Sequence, residues 1–383
     1  MPWKELCALD QKVQMIEDWL TREFSITEIA EMYGVSRKTV YKWVERFEAH
    51  GRDGMEEWCR APYTHPNATA PELVAMIVAM KHRHMKWGHR KIVAHLRNLN
   101  TDKEWPCDST TFEILKRNSL VRSRKIRRRS PPYSEPFTGC NQPNDVWSAD
   151  YKGQFRMGDG KLCYPLTITD NYSRYLLGCR GLHHPTHDES KPEFERVFNE
   201  QGLPKAIRTD NGAPFASASL GGLSRLAVWF IKLGIRPERI AKGKPQQNGR
   251  HERMHRTLKD SAISPPRNNL GEQQRAFDRF AHEYNYQRPH QALGQKTPAS
   301  AYTSSVRPYP SRIPEVEYDG DVIVRQVHTQ GGIKWKGELI YVSEALVGEP
   351  VALKQVGNGL WSLRFSFLHL GILDETSGRI VPI

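Results

Sequence analysis

Asp145-Val146-Trp147-Ser148-Ala149-Asp150-Tyr151, followed by Leu162-Cys163-Tyr164-Pro165-Leu166-Thr167-Ile168-Thr169-Asp170 and Arg174-Tyr175-Leu176-Leu177-Gly178-Cys179, decides the fold. These short β-branched and aromatic runs, divided by Gly-Asp-Gly and Asp-Asn turns, predict an antiparallel meander. Downstream, residues 192–201 read as a helix and Ala206-Ile207-Arg208-Thr209 as a fourth strand ending in Asp210-Asn211-Gly212. A helix over 223–233, a strand over 235–240 and a long helix starting near Gln246 and passing through Glu252 complete the order.

That β-β-β-α-β-α-β-α order resembles the ribonuclease-H-like fold, in which the first and fourth strands are neighbours and the last helix packs across them. The resemblance implies that Asp150, Asp210 and Glu252 converge. Three acids in one pocket repel unless a cation neutralises them, and hard oxygen ligands suit Mg²⁺ or Mn²⁺. Two such ions per site clamp an in-line phosphoryl displacement without a covalent enzyme intermediate. Glu252, Arg256 and Lys259 recur at i, i+4 and i+7 and share a helix face, while Met254 and Leu258 point inward. Asp170, at a hairpin turn, reads as structural, and His183, His184, His187 and Asp188 read as a solvated loop.

Trp147-Ser148-Ala149-Asp150, Arg208-Thr209-Asp210-Asn211-Gly212 and Lys244-Pro245-Gln246-Gln247-Asn248-Gly249-Arg250-His251-Glu252 resemble the three signature blocks of bacterial insertion-sequence DDE transposases with a retroviral-integrase-like core. Tyr284-Asn285-Tyr286, Arg288-Pro289-His290-Gln291-Ala292-Leu293 and Thr297-Pro298 resemble the end of the same core. The 41 residues between Asp210 and Glu252 exceed the family's usual spacing, with the excess expected in the Gly/Ser-rich stretch from Ser217 to Ser224. The resemblance implies a DNA transposase with catalytic and metal ligands Asp150, Asp210 and Glu252. It would bind inverted-repeat ends and target double-stranded DNA, and act as a homo-dimer or larger assembly. A transposase-derived regulator and a simple nuclease are the rival readings.

Upstream, Phe24-Ser25-Ile26-Thr27-Glu28-Ile29 predicts a capping box between Ser25 and Glu28 with a Phe24–Ile29 staple. Gly34 offers the positive φ of a tight helix-to-helix turn. Ser36 then caps a second helix carrying Arg37, Lys38, Thr39, Tyr41 and Lys42 outward, the signature of a helix-turn-helix aimed at DNA. A second helical group spans residues 71–120 and ends in a basic run containing Arg124, Lys125, Arg127 and Arg128, which with Lys244, Arg256 and Lys259 form the expected phosphate contacts. A zinc site among His82, His84, His89, His95 and Cys107 is disfavoured because no second cysteine pair is near. Short strands divided by Gly-rich turns beyond Asp319 predict a small β-barrel.

The expectation is therefore a multi-domain chain. It has a helix-turn-helix over 1–62, a second such unit and basic linker over 63–130, an α/β ribonuclease-H-like core over 131–303 and the barrel over 304–383. The net charge of +13 suits phosphate-bearing partners. Six cysteines without a CxxC give no disulfide framework. The longest apolar run, Leu73 to Met80, is too short for a membrane span, and residues 1–11 lack a signal-peptide core. A bacterial cytoplasmic, nucleoid-associated location follows as an expectation.

Overall fold

The computed structural model describes residues 7–58, 66–121, 139–217, 220–240 and 249–382. The chain divides into two units, Met1–Ala68 and Thr69–Ile383.

In the first unit, helices α1 (Ala8–Thr21), α2 (Ile26–Met32) and α3 (Arg37–His50) enclose Met15, Ile16, Ile29, Val40, Trp43 and Val44. Ser25 Oγ accepts from the Glu28 N–H, and the Glu28 carboxylate accepts from the Ser25 N–H at 2.7 Å, closing the expected capping box. Gly34 makes the turn at φ +63°, a conformation that a Cβ penalises. Ser36 caps α3 by accepting from the Thr39 N–H at 3.2 Å.

The second unit opens with α4 (Pro71–Arg83), α5 (His89–Leu99) and α6 (Asp108–Arg117), packed around Ile77, Trp87, Ile92, Leu96 and Leu115. The central sheet follows. Strands β1 (Val146–Tyr151), β2 (Phe155–Arg156), β3 (Leu162–Asp170), β4 (Leu176–Leu182), β5 (Ala206–Thr209) and β6 (Arg236–Arg239) run in the order β2-β3-β1-β5-β6, with β4 on β3. The meander is antiparallel, whereas β1, β5 and β6 are parallel. Crossovers are made by α7 (His187–Gln201) and α8 (Arg225–Lys232), and the sheet is backed by α9 (Gly249–Leu258) and α10 (Leu270–His282). Trp147, Ala149, Leu166 and Ile168 project from one face onto Phe194, Phe198 and Phe230.

Strand β4 pairs only with β3 among the described residues. Its other edge is satisfied by side-chain amides. Asn285 accepts from the Leu176 N–H and donates to the Leu176 carbonyl, at 2.8 and 2.9 Å. Gln274 accepts from the Gly181 N–H and donates to the Cys179 carbonyl, both at 2.9 Å. Two amide groups thus replace a neighbouring strand, meeting the requirement that buried backbone groups find partners.

At the C-terminal end, β10 (Pro350–Gly357), β11 (Leu360–Phe365), β12 (Leu368–Asp374) and β13 (Arg379–Pro382) join β7 (Ile323–Gln326) in a sheet ordered β13-β12-β11-β10-β7. A separate hairpin is formed by β8 (Gly332–Trp335) and β9 (Glu338–Tyr341). The expected closed barrel is not formed by these pairings: β13 and β7 are the open ends of the sheet among the described residues. The alternation of apolar and polar residues sets which face is buried, and it carries no information about closure. The core of this sheet includes Leu223, Ala227, Val228 and Ile231, so α8 is buried on both sides, as expected for a helix apolar all round.

The seam between the second helical group and the central sheet holds two neutral imidazoles. Burial lowers the pKa of His95, and burial with the charges of Lys91 and Arg288 takes that of His290 down to about 3. Both bases are depressed in the fold, so the unfolded chain binds more protons below its ordinary histidine pKa. The stability they contribute is present above about pH 6.5 and is lost as pH falls toward the folded values. Amide protection in α5, corrected for the intrinsic pH dependence of exchange, is therefore expected to fall between pH 7 and pH 5.5, and His290→Gln should reduce that fall. Identical profiles for the variant and the wild type would count against it.

Candidate active site

Strand alternation builds two unlike faces on β1 and β3. Trp147 and Ala149 face the hydrophobic core, which leaves Ser148 and Asp150 on the opposite face. Opposite them in register lie Thr169 and Thr167. The result is a polar stripe on an otherwise apolar sheet, and α9 packs onto it.

Parallel pairing of Ala149 with Thr209 makes Asp150 and Asp210 the next residues on neighbouring strands, at the same carboxyl edge of the sheet. Ligands of open α/β sheets collect at such edges. The Asp150 side chain is 15% exposed, and Asp210 is half-buried. Asp210 Oδ1 accepts from the Gly212 N–H at 3.1 Å, and Asn211 Nδ2 donates to the Ile240 carbonyl at 3.0 Å. These bonds fix the turn after β5 against the end of β6.

Helix α9 buries His251, Met254, His255 and Leu258 and exposes Glu252, Arg253 and Arg256. Its inward imidazoles converge on one hydroxyl. Thr167 Oγ1 lies 2.6 Å from His251 Nε2, 2.7 Å from His255 Nε2 and 3.0 Å from the Asp150 carbonyl. A carbonyl only accepts, so the threonine proton goes to Asp150 and both Nε2–H groups donate to Thr167. His251 Nδ1 lies 3.2 Å from Thr169 Oγ1. Burial depresses both imidazoles, His251 to about 3 and His255 to about 2, so both are neutral. The remaining lone pair, on His255 Nδ1, faces Asp150 Oδ2 at 3.9 Å.

Asp150, His251 and His255 are the one group of potential metal ligands within 4.8 Å of one another among the described residues. Asp150 and Asp210 stand on neighbouring strand ends. Glu252 is carried by the same helix as the two histidines, one step round from His251 and on its exposed side, and the three carboxylates do not by themselves form such a group. His251, His255 and Thr167 were not legible as site residues from motif matching. The i, i+3, i+4, i+7 spacing of His251, Met254, His255 and Leu258 was the available signal, because it marks the inward stripe of an amphipathic helix.

Arg37, Lys38, Tyr41 and Lys42 are exposed on α3, whereas the Thr39 hydroxyl lies 2.9 Å from Ser36 Oγ within the helix cap. Arg256 and Lys259 are exposed along and just beyond α9. Arg124, Lys125, Arg127, Arg128 and Lys244 lie outside the described residues. Asp170 is buried in its turn, accepting from Asn144 N–H, Ser173 N–H and Ser173 Oγ at 2.9, 2.7 and 2.6 Å. Glu189 accepts from the backbone N–H groups of His183 and His184.

Comparison with known proteins finds similarity along several segments of the chain. The integrase core domain family matches residues 140–245 and again 233–298. A helix-turn-helix domain matches 11–56, and a homeodomain-like domain matches 39–115. A protein of insertion element IS407 from Burkholderia multivorans is 25% identical over 229 residues, covering 59% of this chain and 79% of that protein. Transposase InsD of insertion element IS2 from Escherichia coli is 26% identical over 226 residues, covering 55% of this chain and 72% of that protein. Among solved structures, the catalytic core domain of HTLV-2 integrase in complex with magnesium aligns over 43% of this chain and 99% of that domain, at 17% identity and a TM-score of 0.34. The chain thus matches integrase core and helix-turn-helix domain models and is similar to proteins of bacterial insertion elements.

Proposed function

We propose that the chain cuts DNA at the ends of an insertion element and joins the freed 3′-hydroxyl to target DNA. The observation that carries this reading is the parallel register of β1 and β5, which makes Asp150 and Asp210 the next residues on neighbouring strands, with Glu252 beside His251 on α9. The donor set is rich in carboxylate oxygen, and the neighbouring imidazoles carry no positive charge to oppose a cation. Asp150 and Asp210 would hold Mg²⁺ or Mn²⁺, with Glu252 completing the second of two sites. When bound, the metal supplies Lewis-acid activation of the attacking oxygen and charge stabilisation at the leaving one.

The chain's own residues position the reactants. Thr167, held by His251 and His255, fixes the backbone carbonyl of Asp150, while Arg256 and Lys259 lie exposed along and just beyond α9 for a phosphate backbone. In the first step a water oxygen bonds to phosphorus as the P–O3′ bond breaks, leaving a 3′-hydroxyl on the element and a 5′-phosphate on the flank. In the second step that hydroxyl bonds to a target phosphorus, and the target's own 3′-oxygen leaves with a proton. Exposed Arg37, Lys38, Tyr41 and Lys42 on α3 support reading of the terminal repeats. We place the assembly, a dimer or larger on paired ends, at the bacterial nucleoid. No described helix is long and apolar enough to cross a membrane.

The test supplies a precut element end bearing a 3′-hydroxyl, a supercoiled plasmid and Mg²⁺. Covalent end-to-plasmid product is expected. Plasmid nicking without joining would make the chain a nuclease, and end binding with neither reaction would make it a regulator.

A further inference from the structure

Helix α9 turns His251 and His255 toward the sheet one turn apart, their ring centres separated by 4.5 Å and their planes at 87°. The two rings are held differently. Both nitrogens of His251 lie against hydroxyls, Nε2 at 2.6 Å from Thr167 Oγ1 and Nδ1 at 3.2 Å from Thr169 Oγ1. His255 sets its Nε2 at 2.7 Å from Thr167 Oγ1 and turns its Nδ1 to Asp150 Oδ2 at 3.9 Å. Its side chain is only 7% exposed, so the ring is fixed by what surrounds it.

A separation of 3.9 Å is too long for a hydrogen bond. Thr167 Oγ1 donates to the Asp150 carbonyl and accepts the Nε2–H of His255, which leaves His255 a lone pair at Nδ1. A lone pair and a carboxylate oxygen thus face each other, and a cation between them satisfies both. The span fits an ion. Donor atoms each about 2.1 Å from one metal lie about 3 Å apart at a right angle and about 4.2 Å apart in line. The ring also has the support typical of metal-ligating imidazoles, its far N–H given to a fixed oxygen that sets tautomer and orientation.

We propose that His255 Nδ1 joins Asp150 Oδ2 as a ligand of the divalent ion, while His251 holds the Thr167 hydroxyl that orients the ring. The proposal rests on the reading of Asp150 as a metal-holding carboxylate and adds a nitrogen donor to an otherwise all-oxygen set. Mg²⁺ favours oxygen ligands, whereas imidazole binds transition ions increasingly well from Mn²⁺ to Co²⁺. His255 therefore biases the ion at Asp150 away from Mg²⁺.

The test loads the full-length protein with Mn²⁺ alone, without DNA, and records electron spin-echo modulation at the ion. Modulation from a directly bound nitrogen is expected in the wild type and in His251→Gln. It should vanish in His255→Gln, and His255→Asn should bind Mn²⁺ with the same loss if the glutamine variant does not fold. Displacement of the bound Mn²⁺ supplies a second readout. Co²⁺ should displace it at a lower concentration than Mg²⁺ does, and His255→Gln should narrow that gap several-fold. Absence of nitrogen modulation in the wild type overturns the proposal, as does its persistence in His255→Gln. Equal weakening of Co²⁺ and Mg²⁺ binding in that variant also overturns it, because the residue would then be structural. A wild type that binds no Mn²⁺ fails the carboxylate reading as well, whereas strand joining by a wild type without a bound nitrogen removes the His255 ligand alone.

Discussion

Asp150→Asn is expected to lower both end cleavage and strand joining by roughly 10³-fold or more while leaving end binding intact. The substitution preserves shape, and with it the backbone carbonyl that accepts from Thr167, but it removes the charge expected to hold the metal. Binding is expected to be carried by surfaces elsewhere, including α3. Glu252→Gln should show the same separation, and its exposed position makes a folding defect a poor explanation of lost activity. The measurement is single-turnover cleavage of labelled element ends, paired with duplex affinity for each variant. Near wild-type rates in either variant would refute the assignment of that carboxylate.

The second large effect concerns the edge of β4. Asn285→Leu would remove both amide contacts to Leu176 and leave a buried N–H and a buried C=O without partners. At about 1–3 kcal/mol for each of the two orphaned groups, the variant should lose about 2–6 kcal/mol of stability. Denaturant unfolding of the wild type and the variant measures the loss, and faster amide exchange at Leu176 locates it. A change below about 0.5 kcal/mol with unaltered exchange would show that water replaces the amide at little cost. The uncovered strand is also a template for pairing with another chain, so concentration-dependent aggregation should accompany the destabilisation.

Legibility in the sequence followed the range of the interactions. Capping at Ser25 and Ser36 depends on residues three positions away, and both caps form as read. The meander and the alternation of strands and helices after it were legible from runs of β-branched and aromatic residues. Two-residue β2 is too short to leave such a run, and Gly371 and the turn before Arg379 interrupt the apolar pattern over β12 and β13. The histidines of α9 were hidden by their setting: in a block of Arg and His they look like DNA contacts, yet they face the sheet. The amide contacts of Gln274 and Asn285 arise from pairings 95 and 109 residues apart in the chain, which no local pattern encodes.

Helix α8 gives one side, through Leu226, Trp229 and Phe230, to the catalytic sheet, and the other, through Ala227, Val228 and Ile231, to the C-terminal strands. Lys232 on the same helix reaches Glu349 at 2.7 Å. The final strands are therefore not a cargo hung on a tether. They complete the enzyme's interior, so any path they offer to DNA is set at a fixed bearing from Asp150, and evolution could not trade that segment away without first repainting a helix in polar residues.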